Sequence, residues 1–246
     1  MTRILISEVG PRDGLQSIDR VMPLAAKKAW IKAEAEAGVR EIEVGSFVPP
    51  SLLPQMADTA ELVAFARTLP GLNVVALVPN AKGAARAVEA GVHGMSIPFS
   101  MSETHSRRNV RKDHAQMIEE IRAVAGIAQA AGVHFAVGLS TAFGCTIEGA
   151  VSEDQVVRLA EASVAAGAME LSLSDTTGYA DPAQVKRLVR KVRAAGLTVD
   201  VEFRSPDHAV LYAKASRTVC RLDGTTHQPA AWSDEFRAKH EALVRT

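Results

Sequence analysis

Apolar and polar positions along this chain recur as one unit. An Ala-rich amphipathic segment closes on Ala-Gly, and a β-prone apolar run follows within a few residues. The closing glycines are Gly38, Gly91, Gly132, Gly167 and Gly196, and the runs after them read REIEVGSFV, GMSIPFS, HFAVGL, MELSLS and TVDVEF. Gly71 plays the same part before LNVVALV. Glycine reaches the left-handed backbone conformation without a Cβ clash, so each of these positions is a natural helix stop. Most of the runs are largely apolar rather than strictly alternating, which suits strands covered on both faces. ILISEV near the start serves as strand 1, TVDVEF becomes strand 7, and TVCRLD at 218–223 is the candidate for strand 8.

The helix starts agree with this partition. Asp181-Pro182 pairs an N-cap with proline at the first helical position, and Ser205-Pro206 repeats the signal. Ser152 and Gln155 have capping-box spacing. Asp113 opens a helix whose Ile118, Ile121, Val124 and Ile127 share one face. Strands alternating with helices build either a closed barrel or an open doubly wound sheet. The chain contains neither G-x-G-x-x-G nor a P-loop, and eight strands favour the barrel. The expectation is one domain over residues 1–246, a TIM-type (β/α)8 barrel in which the last βα units can be incomplete or irregular. The sequence becomes atypical from about residue 202 onward, where helices from Ser205 and Ser233 offer few large apolar groups.

Charge narrows the partners. The 28 basic and 28 acidic residues cancel, so no net field draws the protein to nucleic acid or to an anionic membrane. Aromatics are 4% of the chain, too few for base-stacking platforms. Two cysteines make no disulfide framework, no h-region opens the chain, and no run of about 18 apolar residues occurs. A cytoplasmic protein with a small-molecule partner is the expectation.

Barrel chemistry sits where strands end. Those ends deliver Arg12 and Asp13, then Glu43 and Ser46, Asn80, then Ser100, Ser102 and Glu103, then Ser140, Thr141 and Cys145. Ser174, Asp175 and Thr176 follow, and Glu202 and Arg204 come last. Carboxylates and hydroxyls in a ring suit a hard divalent cation, and an arginine suits a carboxylate or enolate oxygen. Simpler roles exist for several. Pro11-Arg12-Asp13-Gly14 alone is a type I turn, and Asp175 alone could hold a turn. Glu43, inside an apolar strand, requires a partner. Each histidine alone reads as a surface or structural residue, and Cys145 alone as a small buried apolar group. Arg107, Arg108, Arg111 and Lys112 form a basic cluster, either a solvated face or an anion clamp.

Five blocks in order carry a resemblance: EVGPRDGLQ (8–16), EVGSFVPPSLLPQMAD (43–58), SETHSRRNV (102–110), FGCTIEGAV (143–151) and LSLSDTTGYADP (171–182). From residue 8 to residue 182 the pattern resembles the hydroxymethylglutaryl-CoA lyases, within the DRE-type metal-dependent barrels. The resemblance implies retro-aldol cleavage of 3-hydroxy-3-methylglutaryl-CoA to acetyl-CoA and acetoacetate, with Mg²⁺ or Mn²⁺, in leucine degradation. It implies Arg12 and Glu43 as catalytic residues, and Arg12, Gln16, Ser46, Asn109 and Thr176 as substrate-binding residues. Asp13 would be a metal ligand. It also implies an acyl-CoA as the small-molecule partner, and a homodimer is compatible with it.

The family pattern then breaks. Its His-x-His at the end of strand 7 is replaced by Glu202 and Arg204. Glu202 can still offer oxygen to a hard cation, but Arg204 has no lone pair to give and stays cationic. The family's glycine-rich cysteine loop is absent, and so is the ligating asparagine after it. A divalent cation is therefore expected to be held weakly or lost. The alternative to a working lyase is a catalytically impaired or non-catalytic barrel homologue that acts by binding.

Overall fold

A computed structural model describes residues 5–195 throughout and, beyond them, the backbone of 199–204, 211–215, 221–222 and 229–230. One sheet carries eight strands in chain order: β1 Ser7–Glu8, β2 Glu41–Ser46, β3 Asn73–Leu77, β4 Gly94–Ser100, β5 His134–Ser140, β6 Glu170–Ser174, β7 Val199–Arg204 and β8 Leu211–Ala215. The pairs from β1 to β7 are all parallel. Among the described residues seven α-helices fill the connections: α1 Leu24–Glu36, α2 Thr59–Ala66, α3 Ala81–Ala90, α4 Glu103–Val110, α5 His114–Ala131, α6 Glu153–Ala165 and α7 Pro182–Ala194. This is the wall of a (β/α) barrel, as expected. Among the described residues no ladder joins β8 back to β1.

Local signals account for most boundaries. Gly38, Gly91, Gly132 and Gly167 all take positive φ, between 66° and 107°, as helix stops require; Gly196 lies outside the described residues. Asp113 accepts the Gln116 N–H at 2.8 Å while the Gln116 side chain accepts the Asp113 N–H at 3.0 Å, a full capping box. Asp181 accepts the Gln184 N–H at 2.7 Å. On α5, Ile121 and Val124 are fully buried, and Ile118 and Ile127 pack against the same core.

The strands do alternate. Met95, Ile97 and Phe99 of β4 and Phe135, Val137 and Leu139 of β5 are buried in the layer between sheet and helices. Ser96, Pro98, Ala136, Gly138 and Ser140, between them, are half-buried on the concave face. The residues on that face are small.

Three expectations fail. The Ser152–Gln155 capping box does not form: Ser152 is the N-cap of α6 without a side-chain bond, and the Gln155 amide donates instead to the Met101 carbonyl at 2.6 Å. A long-range carbonyl outcompetes the local partner. At the C-terminal end, Leu211 and Ala213 belong not to a helix but to β8, which runs antiparallel to β7. Ser205-Pro206 favours a turn as readily as a helix start, and an unpaired sheet edge recruits the strand that returns to it. The proposed strand 8 reduces to β9, Arg221–Leu222, paired with β10, Pro229–Ala230, outside the main sheet. The helix expected from Ser233 lies outside the described residues.

Candidate active site

The chain leaves β1 through one turn of π-helix, Gly10–Gly14, rather than the type I turn that its sequence suggests. Single π turns are rare and recur at functional sites. Here the turn needs a glycine: a Cβ on Gly10 would come 2.7 Å from Glu8 Oε1 and 2.9 Å from the Trp30 ring. The turn presents Arg12 and Asp13 side by side at the end of β1.

β2 brings Glu43 to meet them. Its carboxylate is 5% exposed, so it must be satisfied from within. Arg12 supplies most of that: Nε and Nη2 both lie 2.5 Å from Glu43 Oε2. The other oxygen, Oε1, accepts from Ser96 Oγ at 2.8 Å. Ser96 is on β4, so the contact reaches past β3 across the concave face, which only a curled sheet permits. Arg12 also donates through Nη1 to Asp13 Oδ1 at 2.7 Å, and Gln16 Nε2 donates to the same oxygen at 3.2 Å. One connected chain, Gln16–Asp13–Arg12–Glu43–Ser96, thus spans β1, β2 and β4. Charge-assisted bonds of this kind hold a guanidinium in one orientation.

A β-bulge helps to aim this network. The β2–β3 register shifts between Glu43 and Gly45, and a bulge re-aims the side chains beside it. Thr59 closes the strand end: its Oγ1 accepts the Ser46 N–H at 3.1 Å and lies 3.0 Å from the Ser46 carbonyl and 2.7 Å from that of Met56.

The other sequence candidates divide. Ser46 is buried, and its hydroxyl accepts the Val48 N–H at 3.3 Å, so it shapes its own loop. Asp175 accepts the Tyr179 and Ala180 N–H groups, both at 3.0 Å, which is the turn-holding role its sequence context allowed. Thr176 Oγ1 accepts the Thr141 N–H at 2.9 Å and so ties the ends of β5 and β6 together. Asn80 caps α3 through the Gly83 N–H at 2.9 Å. Asn109 stands on the exposed side of α4. In the basic cluster, Arg107 pairs with Glu103 and Asp113, and Lys112 with Glu120. Cys145 is fully buried, its Sγ accepting the Ile147 N–H at 3.4 Å. The backbone of Glu202 pairs with that of Ser174; the side chains of Glu202 and Arg204 lie outside the described residues.

Among the described residues, no group of three or more His, Cys, Asp or Glu could hold a metal ion. Asp13 has one oxygen committed to two donors, and Glu43 is bound to Arg12 and Ser96. These carboxylates do not by themselves fit a divalent cation.

Sequence reasoning missed three groups. Ser96 was hidden because a single serine in GMSIPFS carries no signal beyond its place on the concave face. Lys27, in an Ala-Lys-Lys run of α1, is 1% exposed, with Nζ 2.5 Å from the Gln55 carbonyl and 2.6 Å from Asp58 Oδ1. His105 lies 2.7 Å from Ser100 Oγ through Nδ1. Outside the sheet, α4, α5 and α6 enclose a cleft of about 520 Å³, bordered by Glu103, His114, Glu148 and Arg158.

The family model described as HMGL-like matches residues 3–203. Hydroxymethylglutaryl-CoA lyase of Bacillus subtilis is 38% identical over 192 residues, covering 78% of this chain and 64% of that protein. The mitochondrial hydroxymethylglutaryl-CoA lyase of Rattus norvegicus is 37% identical over 190 residues, 77% of this chain and 58% of that protein. The chain therefore spans less than two-thirds of the length of these relatives. Among solved structures, an HMG-CoA lyase of Bacillus subtilis superposes with a TM-score of 0.79 at 35% identity, over 83% of this chain and 70% of that one. An Acinetobacter baumannii HMG-CoA lyase, solved with coenzyme A and 3-methylmalate, gives 0.78 at 34% identity, over 84% and 69%. The carboxyl transferase domain of Rhizobium etli pyruvate carboxylase, at 16% identity and a TM-score of 0.62, shares the fold alone.

Proposed function

Because this chain belongs to the HMGL-like family, we propose that it is a carbon–carbon lyase that cleaves 3-hydroxy-3-methylglutaryl-CoA to acetyl-CoA and acetoacetate. The observation that carries the reading is the fixed guanidinium of Arg12. Glu43 holds it from below through two nitrogens, and Asp13 holds a third. In a retro-aldol step the tertiary hydroxyl loses its proton, the carbon–carbon bond breaks, and charge develops on the thioester enolate oxygen. A preorganised cation facing that oxygen stabilises the transition state more than the ground state. Glu43 keeps the cation in place and, with Ser96, makes the interior face of the site polar. Gln16 fixes the Asp13 carboxylate, and Thr176 braces the floor between β5 and β6. The substrate class is an acyl-CoA, in keeping with the coenzyme A named in the Acinetobacter baumannii structure. Leucine degradation is the matching place in metabolism.

The family implies a divalent cation, and Mg²⁺ or Mn²⁺ is the cation we propose, bound more weakly than an intact His-x-His site would bind it. Arg204 brings a fixed positive charge to a position that the family pattern gives to a neutral ligand. By sequence position, Glu202 is the other oxygen donor we assign to the cation, together with Asp13. A homodimer is the proposed assembly, since Leu5 and Ile6 next to β1 are 53% and 61% exposed.

The test is acetoacetate release from 3-hydroxy-3-methylglutaryl-CoA by the purified chain, with each cation titrated. Cleavage is expected, and Asp13→Asn should abolish most of it, because the amide keeps the shape and loses the charge. Arg204→His should tighten Mn²⁺ binding in calorimetry. A folded chain that cleaves nothing at any cation concentration would overturn the lyase reading in favour of a binding protein.

A further inference from the structure

β4 and β5 end in step, with Ser100 paired to Ser140 in the ladder. Their hydroxyls lie 3.1 Å apart, and Ser100 Oγ is also 2.7 Å from His105 Nδ1. Ser100 is 3% exposed, so these two groups, not bulk water, satisfy its hydroxyl. Ser140 is half-buried on the concave face, in line with Ala136 and Gly138. Ser100 shares its face of β4 with Ser96, the partner of Glu43. Four residues separate the two serines, about 13 Å along a strand, so the serine–histidine row stands nearer the mouth than the Arg12–Glu43 pair.

Ser100 Oγ holds the imidazole through Nδ1. His105 is in the first turn of α4, where its backbone N–H donates to the N-cap hydroxyl of Ser102 at 3.1 Å. From α5, His114 Nε2 lies 3.0 Å from the Ser100 carbonyl, and its ring meets the Phe99 ring edge-on. Burial holds His105 below its usual value, while Glu148 acts in the opposite direction. The positive end of the α4 dipole also disfavours an imidazolium there. The titratable and charged groups around it are Glu148 from the loop after β5, His114 from α5, and Glu103 and Arg107 on α4 itself. Glu148 is fixed by the Thr104 N–H at 2.7 Å. Burial raises its carboxyl, but bonds from Thr104 and Ser102 and the nearness of His114 outweigh this and hold it below the usual range. It therefore stays an anion, ready to balance a proton arriving on His105.

We propose that Ser140, Ser100 and His105 form a proton relay at the mouth of the barrel, in which His105 acts through Ser100. The inference rests on the lyase reading and deepens it. As the substrate hydroxyl gives its proton to Ser140, Ser140 passes one to Ser100 and Ser100 one to His105 Nδ1. Both serines stay neutral, and an imidazolium faces Glu148. The alkoxide becomes a carbonyl as the carbon–carbon bond breaks, its electron pair leaving with the enolate. Reversal of the relay protonates the enolate carbon, so nothing is oxidised and no proton is left over. His105 meets no reacting atom and is a positioning residue. Cys145, the nearest thiol in sequence, is fully buried and takes no part.

Two measurements on the full chain test this. Imidazole ¹⁵N NMR, assigned with His105→Phe, should show an unprotonated Nδ1 at neutral pH whose signal moves in Ser100→Ala. A protonated Nδ1 would overturn the relay, because Ser100 could then only accept. In cleavage assays His105→Phe should lower kcat about 100-fold, leave KM within about twofold, and remove the acid limb of the pH profile. An unchanged pH profile would overturn the proposal as well. An inactive wild-type chain would overturn the lyase reading itself, and the ¹⁵N result would then decide the relay alone.

Discussion

Lys27 offers the sharpest test of how the site's walls are held. Its side chain is 1% exposed and its Nζ has two partners, Asp58 Oδ1 at 2.6 Å and the Gln55 carbonyl at 2.5 Å. Asp58 precedes α2 but makes no cap bond, because its carboxylate is turned toward Lys27. Next to it, Thr59 binds both the N–H and the carbonyl of Ser46 at the end of β2. The ion pair therefore clamps α1 to the segment that closes the strand carrying Glu43. Asp58→Ala leaves a buried ammonium with one carbonyl, and stranding a buried charge costs about 3–5 kcal/mol. Asp58 is 19% exposed, so water can reach the gap and the lower value, about 3 kcal/mol, applies. With a urea slope near 3 kcal/mol/M, the midpoint falls by about 1 M. Lys27→Met should cost less, since the carboxylate left behind can hydrate. The double variant Lys27→Met/Asp58→Ala should recover much of the loss, giving a coupling of about 2 kcal/mol in a double-mutant cycle. Additive single effects of about 0.5 kcal/mol or less would show that the pair behaves as a surface salt bridge, and the clamp argument would fall.

Two further outcomes follow from packing and charge. A Cβ on Gly45 would collide with Thr59 Oγ1 and lie 2.9 Å from Thr59 Cγ2, so Gly45→Ala should cost about 1–3 kcal/mol. The melting temperature should drop by roughly 2–10 °C, and an unchanged melt would mean that Thr59 can move aside. Burial raises the Glu120 carboxyl, but the Lys112 ammonium and the Ala81 N–H outweigh this and hold it below 4.5. A carboxyl lowered on folding stabilises above its unfolded value and loses that contribution as pH falls through its folded value. The urea midpoint should therefore fall below pH 4.5 less steeply in Glu120→Gln than in the wild type; parallel curves would show that Glu120 contributes nothing to acid stability.

What the sequence determined by itself was whatever depends on a few neighbouring residues. The Ala-Gly pairs marked helix stops because only the left-handed conformation lets the chain turn back to the sheet, and four of those glycines adopt it. Asp113 and Asp181 announced their helices because a side chain three residues from its partner needs no other element to find it. The five ordered motifs pointed to the family, and Glu43 declared its need for a partner by being charged in an apolar run. The tertiary structure decided which partner answered. Arg12 lies 31 residues from Glu43, Ser96 53 residues, and Gln155 leaves its local cap for a carbonyl 54 residues away. His105 is an ordinary helix residue until two strands end side by side, and Lys27 becomes a buried charge only when α1 meets the Asp58 loop. The departure at β8 has the same origin: Leu211–Ala215 pairs with β7, where a helix was expected, because an open sheet edge offers hydrogen bonds that no local propensity encodes.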